Sequence, residues 1–437
     1  MLAAIGADSF ETLLDQVPSA LRQQKPCDLP PAQSEFELRR TLSGLAAENY
    51  DPLRSLSFLG AGFYDHIIPA AIDQIVLRSE FYTAYTPYQA EVAQGTLTTI
   101  FEFQSLICAL SGMEIANASM YDGASAAAEA MLLAGSATRS ERVLLAESIH
   151  PRTRGVIETY LDGSALEVLT LPERKGQVDL AALEQALTEK PAAVLLQQPN
   201  FFGLLEPLDR VAELQQRLSA ETHLVVSADP LSLALLAPPA DFGAQTVIGD
   251  VQPLGIPPQF GGPSAGYFAT RASHARRLPG RLVAEATDAE GRRGFVLTLQ
   301  TREQHIRREK ATSNICTNSA LMALRATIFL SLLGPTGLQE MAALCAARGQ
   351  QAAERLCGIR GVARRHAGPF WREFVLTLPR EAEDAVERAY EAGGVLAGVP
   401  LSRFWPERRR ELLVAVTEKR TPEEIETLAE TLEKVLA

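Results

Sequence analysis

Between about residues 100 and 270, short continuous apolar runs recur along the chain: RVLLAE (142–147), ALEVLTL (165–171), AAVLLQQ (192–198), HLVVSAD (223–229), TVIGD (246–250) and AGYFAT (265–270). They do not alternate apolar with polar, so each strand is expected to be covered on both faces, as in a parallel sheet between two layers of helices. Segments of helix length separate the first four. This β-α-β alternation predicts a doubly wound α/β domain. Ahead of the first run, IFEFQSLICALSGM (100–113) carries apolar residues at helical spacing. ASMYDGASAAAEAMLLAG (118–135) reads as a turn leading into a buried, alanine-rich helix.

The flanks differ. Residues 1–60 read as helical and irregular, with Ser34 and Glu37 spaced as a capping box at the start of a helix. FLGAGFYDHIIP (58–69) and SEFYTAYTPYQAEVAQGTL (79–97) mix Gly, Pro and aromatic residues at a density that suits a shaped binding surface. From about 330, FWREFVLTLP (370–379) and LLVAVTEK (412–419) read as strands. A last helix opens at Thr421 with Pro422 and Glu424, and its stripe is Ile425, Leu428, Leu432 and Val435. The expected divisions are 1–60, a large domain over 61–330, and a small α+β domain over 331–437.

A net charge of −12 on 437 residues opposes non-specific binding to nucleic acid or to an anionic membrane. No apolar run approaches the length expected of a membrane span, the first residues lack the basic region of a secretory signal, and five scattered cysteines read as reduced thiols. Together these give the expectation of a cytoplasmic protein. The six histidines show no pair at metal-ligand spacing, so no metal is expected. There are six lysines, and none lies between Lys190 and Lys310.

Four features carry candidate chemistry. DGAS (122–125) opens a helix, where small residues let backbone N–H groups and the helix dipole reach an anion; Ser125 belongs to that turn, which reads equally as a simple helix start. Asp229 ends a strand at the mouth of an open α/β sheet, where ligands bind and a carboxylate suits a cationic ring nitrogen; it also reads as a cap or turn residue. His150 follows another strand and can stack on a ligand ring or serve structure alone. GDVQPLGIPPQFGGPSAGYFA (249–269) is a long, specifically shaped loop.

In this order and spacing, the four resemble the large domain of aspartate-aminotransferase-like (fold type I) pyridoxal-phosphate enzymes, with a mainly parallel seven-stranded sheet. FLGAGFYDHIIP, YTAYTPYQAEVAQGTL, YDGASAAAEA, GDVQPLG…FGGPSAG and REKATSNICTNSAL are more specific. They resemble the glycine decarboxylase P-protein family, in its N-terminal half or in the stand-alone first subunit of organisms that split the enzyme. The resemblance runs from about residue 55 to the end. It implies that a lysine-bearing second subunit holds pyridoxal 5'-phosphate and decarboxylates glycine. The aminomethyl group then passes to the lipoyl arm of the H-protein, and a heterotetramer is implied.

Counting back from Gly261-Gly262-Pro263 puts Gln252 where the Schiff-base lysine of the catalytic half would lie. A carboxamide cannot serve as the amine nucleophile. No covalent catalytic residue is therefore expected in this chain, and Ser125, His150 and Asp229 are expected to be relics of a cofactor site. Tyr85, Tyr88, Gln89, Gln94, Phe63, Tyr64 and His66 are the candidates for reaching the partner's cofactor or substrate; each reads equally as interface packing. Arg292, Arg293, Arg302, Arg307 and Arg308 offer a basic strip to an acidic carrier. Two other readings stand beside this one: an autonomous enzyme using Lys310, and a purely structural scaffold subunit.

Overall fold

Strand formation follows the apolar runs. In the computed structural model, which describes residues 1–22, 25, 27–49, 55–259 and 261–437, seven strands build one sheet: β1 (Ile115–Ala116), β2 (Arg142–Ala146), β3 (Glu167–Leu171), β4 (Ala193–Gln198), β5 (His223–Ala228), β6 (Thr246–Asp250) and β7 (Gly266–Thr270). Their order is β1-β7-β6-β5-β4-β2-β3. The pairs among β2 to β6 and β3 are parallel, with Val143 opposite Ala193 and Val194 opposite Leu224; only β7 runs antiparallel to both its neighbours. Val143, Leu145, Leu195, Val225 and Val226 are fully buried, which is why these strands carry no polar face.

The helices α1 (Gln94–Ser111), α2 (Gly123–Thr138), α3 (Pro151–Leu161), α4 (Leu180–Leu187) and α5 (Leu208–Leu218) form the crossovers and the covering layers. The alanines of α2 have a steric reason. Ala126, Ala127, Ala128 and Ala130 are completely buried, and a Cβ on Gly123 would lie 2.9 Å from the Asp250 backbone nitrogen. The helix start is thus seated directly on the end of β6. Parallel strands bring their C-terminal ends to one side of the sheet, where open α/β folds bind ligands. His150, Asn200, Asp229 and Gln252 all follow such ends.

Downstream, β8 (Leu282–Thr287) and β9 (Arg293–Thr298) pair as an antiparallel hairpin. The long helix α6 (Ala320–Cys357) is apolar enough to match a membrane span by length and composition, yet Met322–Leu330 is buried in the core. It passes residue 330 and breaks at Gly334 (φ +60°), just ahead of Pro335, which has no N–H to donate. Beyond it, β10 (Ala363–Arg364), β11 (Glu373–Thr377), β12 (Val399–Pro400) and β13 (Glu411–Ala415) form a four-stranded sheet in the order β10-β11-β13-β12. Helices α7 (Ala382–Gly393) and α8 (Pro422–Leu436) complete the small α+β layer, and Ile425, Leu428 and Leu432 sit in its core as the stripe predicts. The capping box at Thr421 and Glu424 is present.

By contact, the chain divides into Met1–Arg54 and Ser55–Ala437. The first unit holds short helical turns and the helix Glu35–Ala47, opened by the expected Ser34/Glu37 capping box; none of its described residues is buried. In the second unit, Leu56–Ser57 pairs in parallel with Val395–Leu396, tying the start of that unit to the small layer.

Candidate functional site

The loop after Phe58 decides the shape of the site. Phe58 is anchored in the small-layer core, and a Cβ on Gly60 would stand 2.2 Å from the Glu373 carboxylate, so only glycine lets the chain pass. The Ala61 N–H then donates to Glu373 Oε1 at 2.8 Å, and the Tyr64 hydroxyl donates to Glu373 Oε2 at 2.8 Å. Burial pushes the Glu373 carboxyl up to about 7, against these two bonds. The loop is thereby laid across the C-terminal ends of the sheet strands.

There it meets Gln252, which is buried. The Gln252 amide accepts from Tyr64 N–H at 2.9 Å and donates to the carbonyls of Tyr64 (2.9 Å) and Ile256 (2.7 Å). The side chain at the lysine position is thus a crosslink between two loops, with donors and acceptor all in use.

Tyr64, Gly123, His150, Asp229, Asp250 and Arg372 are among the residues lining a cleft of about 860 Å³ over the strand ends. The DGAS turn, His150 and Asp229 are therefore brought together, but each is already engaged. Ser125 donates to and accepts from Asp122 in a helix cap. His150 Nδ1 accepts from Arg152 N–H at 3.1 Å, so Nε2 carries the proton and donates to the Ala61 carbonyl at 3.0 Å. Burial pushes this imidazole below its ordinary range. Its ring stands edge-on to Phe201.

Asp229 accepts from the N–H groups of Leu231 and Ser232, and its other oxygen is bound by Arg372. Arg372 itself is 2 % exposed. Its guanidinium carbon lies 3.5 Å from the Tyr64 ring centre and 4.5 Å from that of Trp371. It also donates to His66 Nε2 at 2.6 Å, so His66 Nδ1 is the donor to Glu418 at 2.7 Å. Burial works to raise the Glu418 carboxyl, but the bond from His66 and that from Ile67 N–H hold it below its ordinary value. At the start of α2, where the amides face an incoming anion, Asp250 already accepts from Gly123 N–H (3.3 Å), Gln252 N–H (2.8 Å) and Ser264 (2.6 Å). Burial pushes its carboxyl up to about 6.

This cleft does not fit pyridoxal phosphate. It has no amine, its strand-end carboxylate is neutralised by Arg372, and its anion-binding amide faces a carboxylate. Lys310 is exposed and does not line the cleft.

The remaining candidates fall into two groups. Phe63, Tyr64 and His66 belong to the cleft loop, with Phe63 at the mouth and the other two buried. Tyr85, Tyr88, Gln89 and Gln94 do not line it. Gln94 is a structural pin, accepting from Phe295 N–H and donating to its carbonyl, both at 2.9 Å. Gln89 is exposed, Tyr85 is 87 % exposed, and the half-exposed Tyr88 accepts from Arg281. In the arginine strip, Arg292 and Arg293 are paired with Asp288 and Glu285, and Arg302 is partly buried.

Two features escape sequence spacing. Arg372 and Glu373 sit inside an apolar strand segment; charged neighbours in FWREFVL are the one signal of their role. His66, Cys345 and Glu418 converge with ligand-type atoms within 4.8 Å of one another. His66 and Cys345 both donate to Glu418, and the adjoining Arg372 cation opposes a metal ion there.

Known proteins share the sequence and fold over the whole length of this chain. The family model for the glycine cleavage system P-protein matches residues 1–432. A probable glycine dehydrogenase (decarboxylating) subunit 1 of Carboxydothermus hydrogenoformans is 50 % identical over 432 residues, covering 99 % of this chain and 96 % of the relative. A crystal structure of glycine decarboxylase (P-protein) of the glycine cleavage system, in inhibitor-bound form, superimposes with a TM-score of 0.93 at 42 % identity, covering 100 % of this chain and 97 % of that one. Glutamate decarboxylase of Lactobacillus brevis shares the fold alone, with a TM-score of 0.70 at 11 % identity over 95 % and 96 % of the two chains. The fold is that of the fold type I pyridoxal-phosphate enzymes, and the chain belongs to the glycine cleavage system P-protein family.

Proposed function

We propose that this chain is the subunit of a two-subunit glycine dehydrogenase (decarboxylating) that carries no cofactor of its own. It completes the active site of a lysine-bearing partner, in the cytoplasm, as a heterotetramer. The pair takes glycine, releases its carboxyl carbon as carbon dioxide and passes the aminomethyl group to a lipoyl sulfur of the H-protein, whose disulfide is reduced in the exchange. Pyridoxal phosphate on the partner supplies the electron sink for the bond broken.

The observation that carries this reading is the way the cleft is occupied from within: Gln252 tied to Tyr64, Asp229 to Arg372, and Asp250 to the start of α2. The fold is kept while the cofactor chemistry is lost, as expected of a chain retained for the surface it offers a partner. Its own residues hold the loop 58–66 across the strand ends, with Gln252 and Glu373 bonded to Tyr64 and Ala61.

Reconstitution tests this. The chain mixed with a lysine-bearing P-protein half, lipoylated H-protein and pyridoxal phosphate is expected to give glycine-dependent exchange of labelled carbon dioxide, and neither half alone is. Exchange by this chain alone, lost on Lys310→Met, would favour the autonomous-enzyme reading.

A further inference from the structure

The chain contains two Asp-Gly steps, Asp122-Gly123 and Asp162-Gly163. With no side chain on the glycine, its nitrogen is sterically open to the carboxyl carbon of the preceding aspartate. The surroundings then decide whether the two atoms can meet.

At the first step they cannot. Asp122 caps α2, and its Oδ1 accepts from Ser125 N–H at 2.6 Å. The Gly123 N–H donates to Asp250 Oδ2 at 3.3 Å. A Cβ on Gly123 would lie 2.9 Å from both the Asp250 nitrogen and the Gly249 carbonyl carbon, so backbone closes over this step. Carboxyl and amide are each held in place.

The second step has none of this protection. Asp162-Gly163 lies in the turn from α3 to β3, and Asp162, Gly163 and Ser164 are all exposed. Among the described residues, the Asp162 carboxylate has no hydrogen-bond or ion-pair partner and the Gly163 N–H has no acceptor. Nothing lies within 4 Å of a Cβ built on Gly163, whose φ is +77°. The turn is fastened by Ser164 N–H donating to the Leu161 carbonyl at 2.9 Å and by Leu166 N–H donating to Ser164 Oγ at 3.1 Å. Exposed bonds of this kind open at little cost. Opening lets Asp162 turn about its Cα–C bond from ψ 126° and bring Cγ to the Gly163 nitrogen.

We infer that Asp162-Gly163 is a site of spontaneous backbone modification, where Asp162 becomes an isoaspartyl residue through a cyclic imide, and that the cap on α2 shields Asp122-Gly123 from the same chemistry. The Gly163 nitrogen attacks Cγ of the protonated Asp162 carboxyl. The N–Cγ bond forms, a Cγ–O bond breaks, and the hydroxyl leaves with the amide proton as one water. Water then reopens the ring. Attack at Cγ restores aspartate, whereas attack at the main-chain carbonyl carbon leaves the chain running through Cβ and Cγ, with a free α-carboxylate. No electrons are gained or lost. The product adds one carbon to the main chain between α3 and β3. Strand β3 is an edge strand paired with β2 alone, so the extra length burdens one ladder and no inner one.

The test ages the full chain at neutral pH in heavy-oxygen water, below its unfolding temperature, and digests it with trypsin. The peptide 155–174 holds Asp162 as its one aspartate. Each passage through the imide leaves a heavy oxygen, read as a mass gain, and electron-transfer fragmentation tells isoaspartyl from aspartyl. Label and isoaspartate are expected at Asp162 at least about tenfold faster than at Asp122, where Gly123 must first be freed from Asp250. Asp162→Asn forms the same imide with ammonia as the leaving group and should react faster still. Asp162→Glu keeps the charge but needs a larger, less favourable ring, and should not label. Urea-unfolded chain should label at both steps. Equal labelling of the two steps in the folded chain overturns the inference, as does an unlabelled Asp162 over a time in which the unfolded chain labels.

Discussion

Removing Arg372 should be among the most damaging single changes to this fold. The side chain is 2 % exposed, is paired with Asp229, donates to His66 Nε2 and lies against the faces of Tyr64 and Trp371. Arg372→Met keeps the apolar stem but leaves Asp229, whose side chain is 15 % exposed, without its counter-charge. Breaking one side of a buried pair costs about 3–5 kcal/mol. The cation–π contact with Tyr64, worth about 2 kcal/mol when desolvated, overlaps with this figure and is not added to it. Urea unfolding followed by tryptophan fluorescence reports the loss, because Trp371 is one of only two tryptophans and touches the guanidinium. Asp229→Asn and the double variant complete a mutant cycle. The expected coupling is about 2 kcal/mol or more, with the double variant more stable than the sum of the singles implies. A loss below about 1 kcal/mol for Arg372→Met, or a coupling near zero, would refute the claim that Arg372 neutralises Asp229.

Gln252→Lys, which restores the amine by sequence, should not restore cofactor binding: Tyr64 N–H loses its acceptor, Asp229 stays with Arg372, and the variant is expected to lose about 2 kcal/mol of stability with no absorbance change on adding pyridoxal phosphate. Glu129, on α2, accepts from Ser313 at 2.8 Å, and burial pushes its carboxyl up to about 7 from 4.5. The folded state therefore holds this proton more tightly than the unfolded one, so its contribution is full below about pH 4.5 and is lost as pH rises through 7. Relative to wild type, Glu129→Gln should gain about 3 kcal/mol between pH 5 and pH 8.5 in paired urea titrations; parallel curves would show that Glu129 ionises freely.

The parallel strands were legible because burial on both faces leaves uninterrupted apolar runs, and the two capping boxes because they are local. The β8/β9 hairpin was harder to see. Its strands are only partly buried, so LVAEAT and RGFVLT carry polar residues at intervals. Helix α6 runs across the expected division at 330 and resumes beyond Gly334 and Pro335, residues that locally favour a break. At the site, Asp229 and His150 could be found because each follows a strand end, a position with meaning in any open α/β sheet, and Gln252 by its spacing from Gly261-Gly262-Pro263 under the family resemblance. Their partners could not. Arg372 meets Asp229 from 143 residues away, and Glu373 meets Tyr64 from 309. Nothing local distinguishes a buried ion pair from a surface charge within a strand.

The central claim is that this chain serves a partner's cofactor and holds none itself. Borohydride reduction followed by peptide mapping tests it most directly. Purified chain with added pyridoxal phosphate should yield no reduced pyridoxyl-lysine, whereas the assembled pair should yield one that maps to the partner. A stoichiometric pyridoxyl group trapped on this chain, at Lys310 or any of its other five lysines, would contradict the account.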